Sequence, residues 1–246
     1  EILQLSGYDG FGFDERTGQF DFAPYKAVIE AFKQMKDDGS MLPGVESLDI
    51  DPLRAQFAEG KIGMYLSYSA EPGVYSSQFP AKIKWGAALA PTIDGEIKGA
   101  SGFANSGQWF GISSQSKHKD EAWKFLSYMY SDETLTTYHE KGLGLSAVPA
   151  IAAKANAPEL AGVEGFLMTQ YDALWPLAPA VTIEGLNYGD AFLKYILGGG
   201  NLDAIADDLT KRYNAALEKA IASGDVSVTP DPGFDPMKLQ GTLLAK

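Results

Sequence analysis

Three acidic residues are the ones closest to apparent loop apices with aromatic residues nearby: Glu71, Asp172 and Glu184. A glycosidase needs two carboxyl groups held about 5 to 9 Å apart across the sugar. The sequence does not fix the distances between these three. Acids and aromatic rings also form non-catalytic sugar sites, in which rings stack on the sugar and carboxylates accept hydroxyl hydrogen bonds. The residue types therefore leave a hydrolase and a binding protein open.

Other kinds of chemistry find no support in the sequence. His118 and His139 are far apart and have no metal-ligand spacing around them, and the absence of cysteine excludes disulfides, thiolate zinc sites and cysteine nucleophiles. No nucleophile elbow, phosphate-binding loop or dinucleotide fingerprint is present. Asp49 and Asp51, like Asp231 and Asp235, lack the spacing of a calcium loop. We therefore expect no catalytic residue, no metal and no cofactor.

The composition indicates an acidic globular protein. Its 246 residues include 20 Lys and Arg against 32 Asp and Glu, which gives a net charge of −12 and a sequence pI near 4.6. Nucleic acids and anionic membranes require a basic surface, so neither is an expected partner. With 45% hydrophobic residues the chain can bury a core. No apolar run approaches the roughly 20 residues that span a bilayer.

Hydrophobic spacing predicts strands and helices in alternation, which is the pattern of an α/β fold. A hairpin or surface turn is expected from Gly7 to Gln19. The predicted strands are 61–66, 85–89 and 109–112. The predicted helices follow Pro24, Asp51, Ser116 and Ser131, cover Glu164 to Leu174 and Tyr188 to Leu197, and run from an Asn201 cap to Gly224.

Several segments resemble, in the same order, the extracellular solute-binding proteins of ABC importers, in particular the maltose-binding-protein-like group. The segment Phe57 to Tyr65 is similar to the family's Phe-x-x-Gly-Lys-x-Ala/Gly-Met signature. The other similar segments are Ala88 to Pro91, Gly102 to Ile112, Ser116 to Leu126, Ser131 to Glu133 and Gly144 to Pro149.

The resemblance implies a periplasmic-binding-protein-like (type II) fold, in which two α/β lobes joined by a hinge close over a solute. Residues 1–90 would form the first part of the C-terminal lobe, 91–140 a segment that returns to the N-terminal lobe, and 141–246 the hinge crossing and the helical remainder. Most of the family's N-terminal lobe precedes the position of Glu1, so we expect the chain to be a fragment. The segment from Trp109 to Tyr130 would then expose an apolar surface.

The resemblance also indicates candidate ligand contacts. Tyr68 replaces an aromatic that stacks on the sugar in relatives, Glu71 is a candidate hydroxyl acceptor, and the Gly-rich return and the last helices supply others. The full set is Ser67, Tyr68, Glu71, Asn105, Ser106, Gln108, Trp175, Asn187 and Tyr188.

The function implied by the resemblance is capture of a sugar or oligosaccharide and its delivery to a membrane permease. The expected partners are that sugar, the ABC permease subunits and the missing N-terminal segment. The protein is expected to be a non-enzymatic monomer outside the cytoplasm, either periplasmic or a cell-surface lipoprotein of a Gram-positive organism. A polyamine or another small cation is the alternative ligand. A hydrolase with a carboxylate pair among Glu71, Asp172 and Glu184 is the alternative function.

Overall fold

The helices and strands of this chain divide between two units in a computed structural model that describes residues 1–102, 110–146 and 148–239. Unit 1 comprises Glu1–Glu46, Ala90–Phe103 and Tyr171–Thr242, and unit 2 comprises Ser47–Leu89, Ala104–Gln170 and Leu243–Lys246. Each unit is therefore built from segments that are distant in sequence.

Unit 1 contains short strands and the longer helices. Its helices are α1 (Ile2–Leu5), α2 (Tyr25–Asp37), α8 (Tyr188–Gly198) and α9 (Leu202–Ser223). Strands β1 (Phe13–Asp14) and β2 (Gln19–Phe20) pair antiparallel, with Phe13 opposite Phe20. This pair confirms the predicted opening hairpin. Strands β3 (Ser101–Gly102) and β4 (Asp172–Ala173) pair parallel, with Ser101 opposite Asp172.

The core of unit 1 lies between the hairpin and helices α2, α8 and α9. Phe22 is fully buried at its centre, and its ring centroid lies 4.8 Å from that of Tyr213 and 5.6 Å from that of Tyr25. Gly12 lies against the same ring, since a Cβ added at this position would lie 2.5 Å from Phe22. Its φ of +81° also favours glycine. The hairpin turn is thereby fixed against the core.

Helix α9 has the ends that its sequence predicts. Asn201 accepts a hydrogen bond from the Ala204 amide at 3.0 Å, and Gly224 ends the helix with a left-handed φ of 81°. Between these caps, Leu209 and Leu217 are buried in the core. The match reflects signals that are local in sequence.

Unit 2 is mainly helical. Its helices are α3 (Ile50–Ala58), α4 (Glu71–Ser77), α5 (Lys119–Met129), α6 (Asp132–Glu140) and α7 (Pro149–Ala152). A small core joins α3 to α4, with Phe57 and Tyr75 buried and their ring centroids 5.2 Å apart. Ile83 and Trp85 pack against that core. Short 3-10 turns occupy Val45–Ser47 and Val163–Phe166, and a third, Pro236–Leu239, belongs to unit 1.

The strand predictions for unit 2 were wrong over the described residues. Neither 61–66 nor 85–89 is a β-strand, and neither is 110–112, the described part of the predicted strand 109–112. A strand needs a neighbour for its backbone groups. Within the described ranges, no backbone hydrogen bond connects 62–66 or 85–89 with another segment. Burial nonetheless alternates from 81 to 89, which is the pattern that suggested a strand.

Some helix boundaries also differ from expectation. Asp49, not Asp51, is the N-cap of α3, and His118, not Ser116, is that of α5. Ser116 lies just before the cap and accepts a hydrogen bond from the His118 amide at 3.1 Å. The predicted helix from Glu164 to Leu174 contains only the end of a 3-10 turn and strand β4.

Helix α5 carries an exposed aromatic surface. None of its residues is buried, and Trp123 and Phe125 are 65% and 63% exposed. Tyr128 and the following Tyr130 are similarly exposed. Among the described helices, none has the length and apolar character that a membrane crossing requires.

Candidate functional site

The loop before α4 presents an exposed tyrosine. Tyr68 is 71% exposed, and its carbonyl accepts a hydrogen bond from the Glu71 amide at 3.2 Å. This turn leads directly into α4, which has Pro72 in its first turn, where proline is favoured. The Tyr68 side chain is therefore exposed on a turn that a backbone hydrogen bond closes.

Glu71 anchors this turn from inside the protein. It is 2% exposed, and its Oε1 accepts hydrogen bonds from Arg54 Nη2 and from Ser67 Oγ, both at 2.7 Å. Its Oε2 accepts from Tyr65 OH at 2.8 Å and from Arg54 Nε at 3.1 Å. Helix α3, the loop and α4 are thus joined through one carboxylate. A ligand contact by Glu71 stays a prediction.

The hydrogen bonds around Glu71 keep it ionised. Burial by itself would raise the pKa of Glu71, but the bonds from Arg54, Ser67 and Tyr65 outweigh burial and lower that pKa. Burial and the hydrogen bonds with Tyr75 and Glu71 raise the pKa of Tyr65, whose hydroxyl lies 2.5 Å from that of Tyr75. The carboxyl of Glu71 is therefore an acceptor of hydrogen bonds at neutral pH and not a proton donor.

Three other predicted contacts lie in unit 1. Asn187 caps α8 by accepting from the Asp190 amide at 2.9 Å. Tyr188 packs against the core, with its ring 5.5 Å from that of Phe22. Trp175 is half-buried and donates from Nε1 to the carbonyl of Ala100 at 2.9 Å. All three side chains thus have structural partners, and their roles toward a ligand stay predictions.

The remaining predicted residues of the site, Asn105, Ser106 and Gln108, lie outside the described residues. The other acids of the hydrolase alternative belong to unit 1. Asp172 is in strand β4, and the carbonyl of Glu184 accepts from Arg212 Nη1 at 2.8 Å. Across the described ranges, no group of three His, Cys, Asp or Glu could hold a metal ion.

Sequence reasoning missed a buried acid in unit 1. Asp9, which the sequence placed in a surface turn, is 7% exposed. Its Oδ1 accepts from the amides of Phe11 at 2.6 Å and Phe13 at 3.3 Å. Asp9 and Trp175 line the same cavity of about 90 Å³ within unit 1. The glycine-rich sequence around Asp9 predicted a turn and carried no signal that the acid would be buried.

Comparison with protein families identifies the class of protein. Residues 3–135, more than half of the 246, match the family described as bacterial extracellular solute-binding protein. The chain belongs to this family, which implies a periplasmic-binding-protein-like fold and a location outside the cytoplasm. Members of the family are generally binding proteins and not enzymes.

Individual relatives agree with this assignment. Proteins from Brucella abortus (strain 2308) and Brucella suis biovar 1 (strain 1330), each named only as a binding protein, are 27% identical over 223 residues. The match covers 89% of this chain and 50% of each relative. The chain thus spans about half the length of the curated relatives that it matches.

Proposed function

We propose that this chain is part of the solute-binding component of an ABC importer that captures a sugar or oligosaccharide. The observation that carries the proposal is the exposed ring of Tyr68, on a turn that the buried Glu71 and the half-buried Arg54 hold in place. A large aromatic side chain exposed on a fixed loop is suited to stack on the apolar face of a sugar. Family membership supports the binding role.

In this proposal some residues of the loop contact the sugar, and another residue holds the loop in position. Tyr68 contacts the sugar, and Ser67 adds polar contact because its hydroxyl oxygen keeps acceptor capacity while it donates to Glu71. Glu71 acts mainly by holding the loop. Trp175, Asn105, Ser106, Gln108, Asn187 and Tyr188 remain proposed contacts on the strength of the resemblance.

The proposed partners follow from the length of the relatives and from exposed surface. Relatives are about twice as long as the matched region, and the aromatic surface of α5 is exposed in this chain. We propose that the whole protein has a further N-terminal segment that covers this surface and completes the cleft. The complete protein acts as a periplasmic or lipid-anchored monomer that docks on a membrane permease.

The alternative function is a carbohydrate-active hydrolase. A hydrolase requires a protonated carboxylic acid near its working pH, which a raised pKa supplies. The pKa of Glu71 is lowered by its hydrogen bonds. This direction disfavours Glu71 as the acid of such a pair.

Thermal stability with added sugars tests the proposal. A ligand that binds only the folded protein stabilises it by about 2.7 kcal/mol when present at 100 times its Kd. For the full-length protein, we expect at least one neutral oligosaccharide of a broad panel to raise the melting temperature and to be recovered chemically unchanged. Release of new reducing ends that Glu71→Gln abolishes would support the hydrolase instead.

A further inference from the structure

One segment of unit 2 presents an apolar or aromatic side chain to solvent at every second position. Met64, Leu66 and Tyr68 are 87%, 60% and 71% exposed, and we call them the outer face of the segment. The residues between them, Tyr65 and Ser67, are half-buried. Exposure that alternates with a period of two is typical of a β-strand with one face uncovered. The proposed function uses Tyr68 and leaves the exposure of Met64 and Leu66 unexplained.

The backbone of the same segment also lacks partners. Residues 64–67 make no backbone hydrogen bond to any described residue. Side chains hold the segment from its inner side instead, because Tyr65 packs against the core of α3 and α4 and Ser67 Oγ donates to Glu71. The segment is therefore fixed on one side, while its backbone groups and its outer face are open to an added strand.

The neighbouring segment 81–89 alternates in the same way but presents different residues. Its exposed positions are occupied by Lys82, Lys84, Gly86 and Ala88. Lysine at exposed strand positions discourages pairing with other chains, and small residues expose little apolar area. Residues 64–68 include no charged side chain. Of the two segments, 64–68 is therefore the one whose exposed face is suited to a covering partner.

The length of the relatives indicates which chain supplies that partner. The match covers 50% of each relative, so a protein of that length has about as much chain again outside this structure. A strand of the same polypeptide is tethered near its site at a high effective concentration. Two copies of this chain would each carry a net charge of −12 and repel one another. A tethered segment is thus favoured over a second copy.

We propose that the further N-terminal segment of the whole protein supplies a β-strand that pairs with the backbone of 64–67, and that this segment covers Met64 and Leu66. The inference rests on the further segment in the proposed function and not on its sugar. Tyr68 directly follows the paired residues and begins the turn into α4. The added strand therefore fixes the candidate binding loop from its backbone side and helps to position Tyr68.

Hydrogen exchange tests the backbone pairing on the full-length protein without added sugar. We expect the amides of 64–67 to exchange about 100-fold more slowly than in an unstructured peptide, because paired amides exchange only when the structure opens. The control is Gly95, an exposed residue in unit 1. Its amide should exchange rapidly. Mass spectrometry of proteolytic fragments measures both.

Peroxide oxidation of methionine tests the covering of the outer face in the same protein. Met35 of α2 is 37% exposed and Met64 is 87% exposed, so the uncovered segment would be oxidised first at Met64. We expect the reverse order in the full-length protein. Met64→Glu should also lower the midpoint of urea unfolding, because it buries a charge under the added segment. Leu177→Glu, at a position 77% exposed in unit 1, is the matched control and should not.

The outcomes separate this inference from the sugar proposal. Slow exchange at 64–67 together with slower oxidation of Met64 than of Met35 supports the pairing, even in a protein that binds no sugar. Rapid exchange of these amides, or faster oxidation of Met64, overturns the pairing and leaves the sugar proposal unaffected. Protection that disappears on dilution assigns the surface to a second copy and overturns the N-terminal segment as its partner.

Discussion

Arg54 and Glu71 form an ion pair that joins α3 to the first residue of α4, with Arg54 Nη2 and Glu71 Oε1 2.7 Å apart. The side chains are 17% and 2% exposed. The loop that carries Tyr68 lies between them in sequence, and two of its residues, Tyr65 and Ser67, donate to the same carboxylate. The position of the candidate binding residue thus depends on a pair that need not touch a ligand.

Breaking this pair should destabilise the protein. Glu71→Gln leaves the Arg54 charge partly buried without its partner, and the expected loss is about 3 kcal/mol of unfolding free energy. Glu59→Gln is the matched control, since Glu59 pairs with Lys82 on the surface at 2.6 Å. The control should leave the midpoint of urea unfolding unchanged. Equal midpoints for the two variants would contradict the role given to Arg54 and Glu71.

The contribution of Glu71 should also depend on pH. Its pKa in the folded protein lies below the ordinary value of 4.5, so the unfolded chain takes up the proton first as pH falls. The stabilisation is therefore complete above about pH 4.5 and is lost as pH falls through the lower, folded pKa. The difference in unfolding free energy between wild type and Glu71→Gln, measured by urea unfolding, should be smaller at pH 3 than at pH 7. A difference that grows on acidification would contradict the lowered pKa of Glu71.

Removing the exposed ring should weaken sugar binding. For Tyr68→Ala we expect a loss of about 1 to 3 kcal/mol in binding free energy, from stacking and buried apolar area. The same change at Tyr138, a tyrosine of α6 that is also exposed, should leave affinity unchanged. Isothermal titration of the full-length protein with its sugar measures both. An unaltered affinity in Tyr68→Ala would remove Tyr68 from the site.

Two asparagine residues cap helices of unit 1, and comparing them distinguishes a structural role from a ligand contact. Asn187 and Asn201 each accept from the backbone amide three residues ahead, at 2.9 Å and 3.0 Å. Replacing either with Ala should cost about 1 kcal/mol of stability. If Asn187 also contacts the solute, only Asn187→Ala lowers affinity beyond this shared loss of stability. Denaturant unfolding and calorimetry on both variants decide between the two roles.

Helices of this chain could be predicted because their signals are local. The apolar spacing after Pro24 gave α2, and the Asn201 cap with Gly224 gave α9 at its observed ends. Strands depend on partners elsewhere in the chain. The segments 61–66 and 85–89 have the composition of buried strands, but over the described residues no backbone hydrogen bond joins 62–66 or 85–89 to another segment.

Prediction of the candidate site was limited in the same way, because side-chain contacts also depend on segments elsewhere in the chain. The resemblance indicated Tyr68, and the structure shows this side chain exposed on its turn. No sequence pattern indicated that Arg54 would occupy both oxygens of Glu71, because that contact depends on how α3 packs beside α4. Asp9 was also missed, since an acid in a glycine-rich segment is typical of surface turns.

Native mass spectrometry of the full-length protein and its Tyr68→Ala variant tests the solute-binding role. We expect the wild type to take up one molecule of a sugar from a mixed panel, the mass of the bound sugar to be unchanged after prolonged incubation, and the variant to retain less of that sugar. Absence of any bound solute, or a bound mass equal to a hydrolysis product, would contradict a solute-binding role.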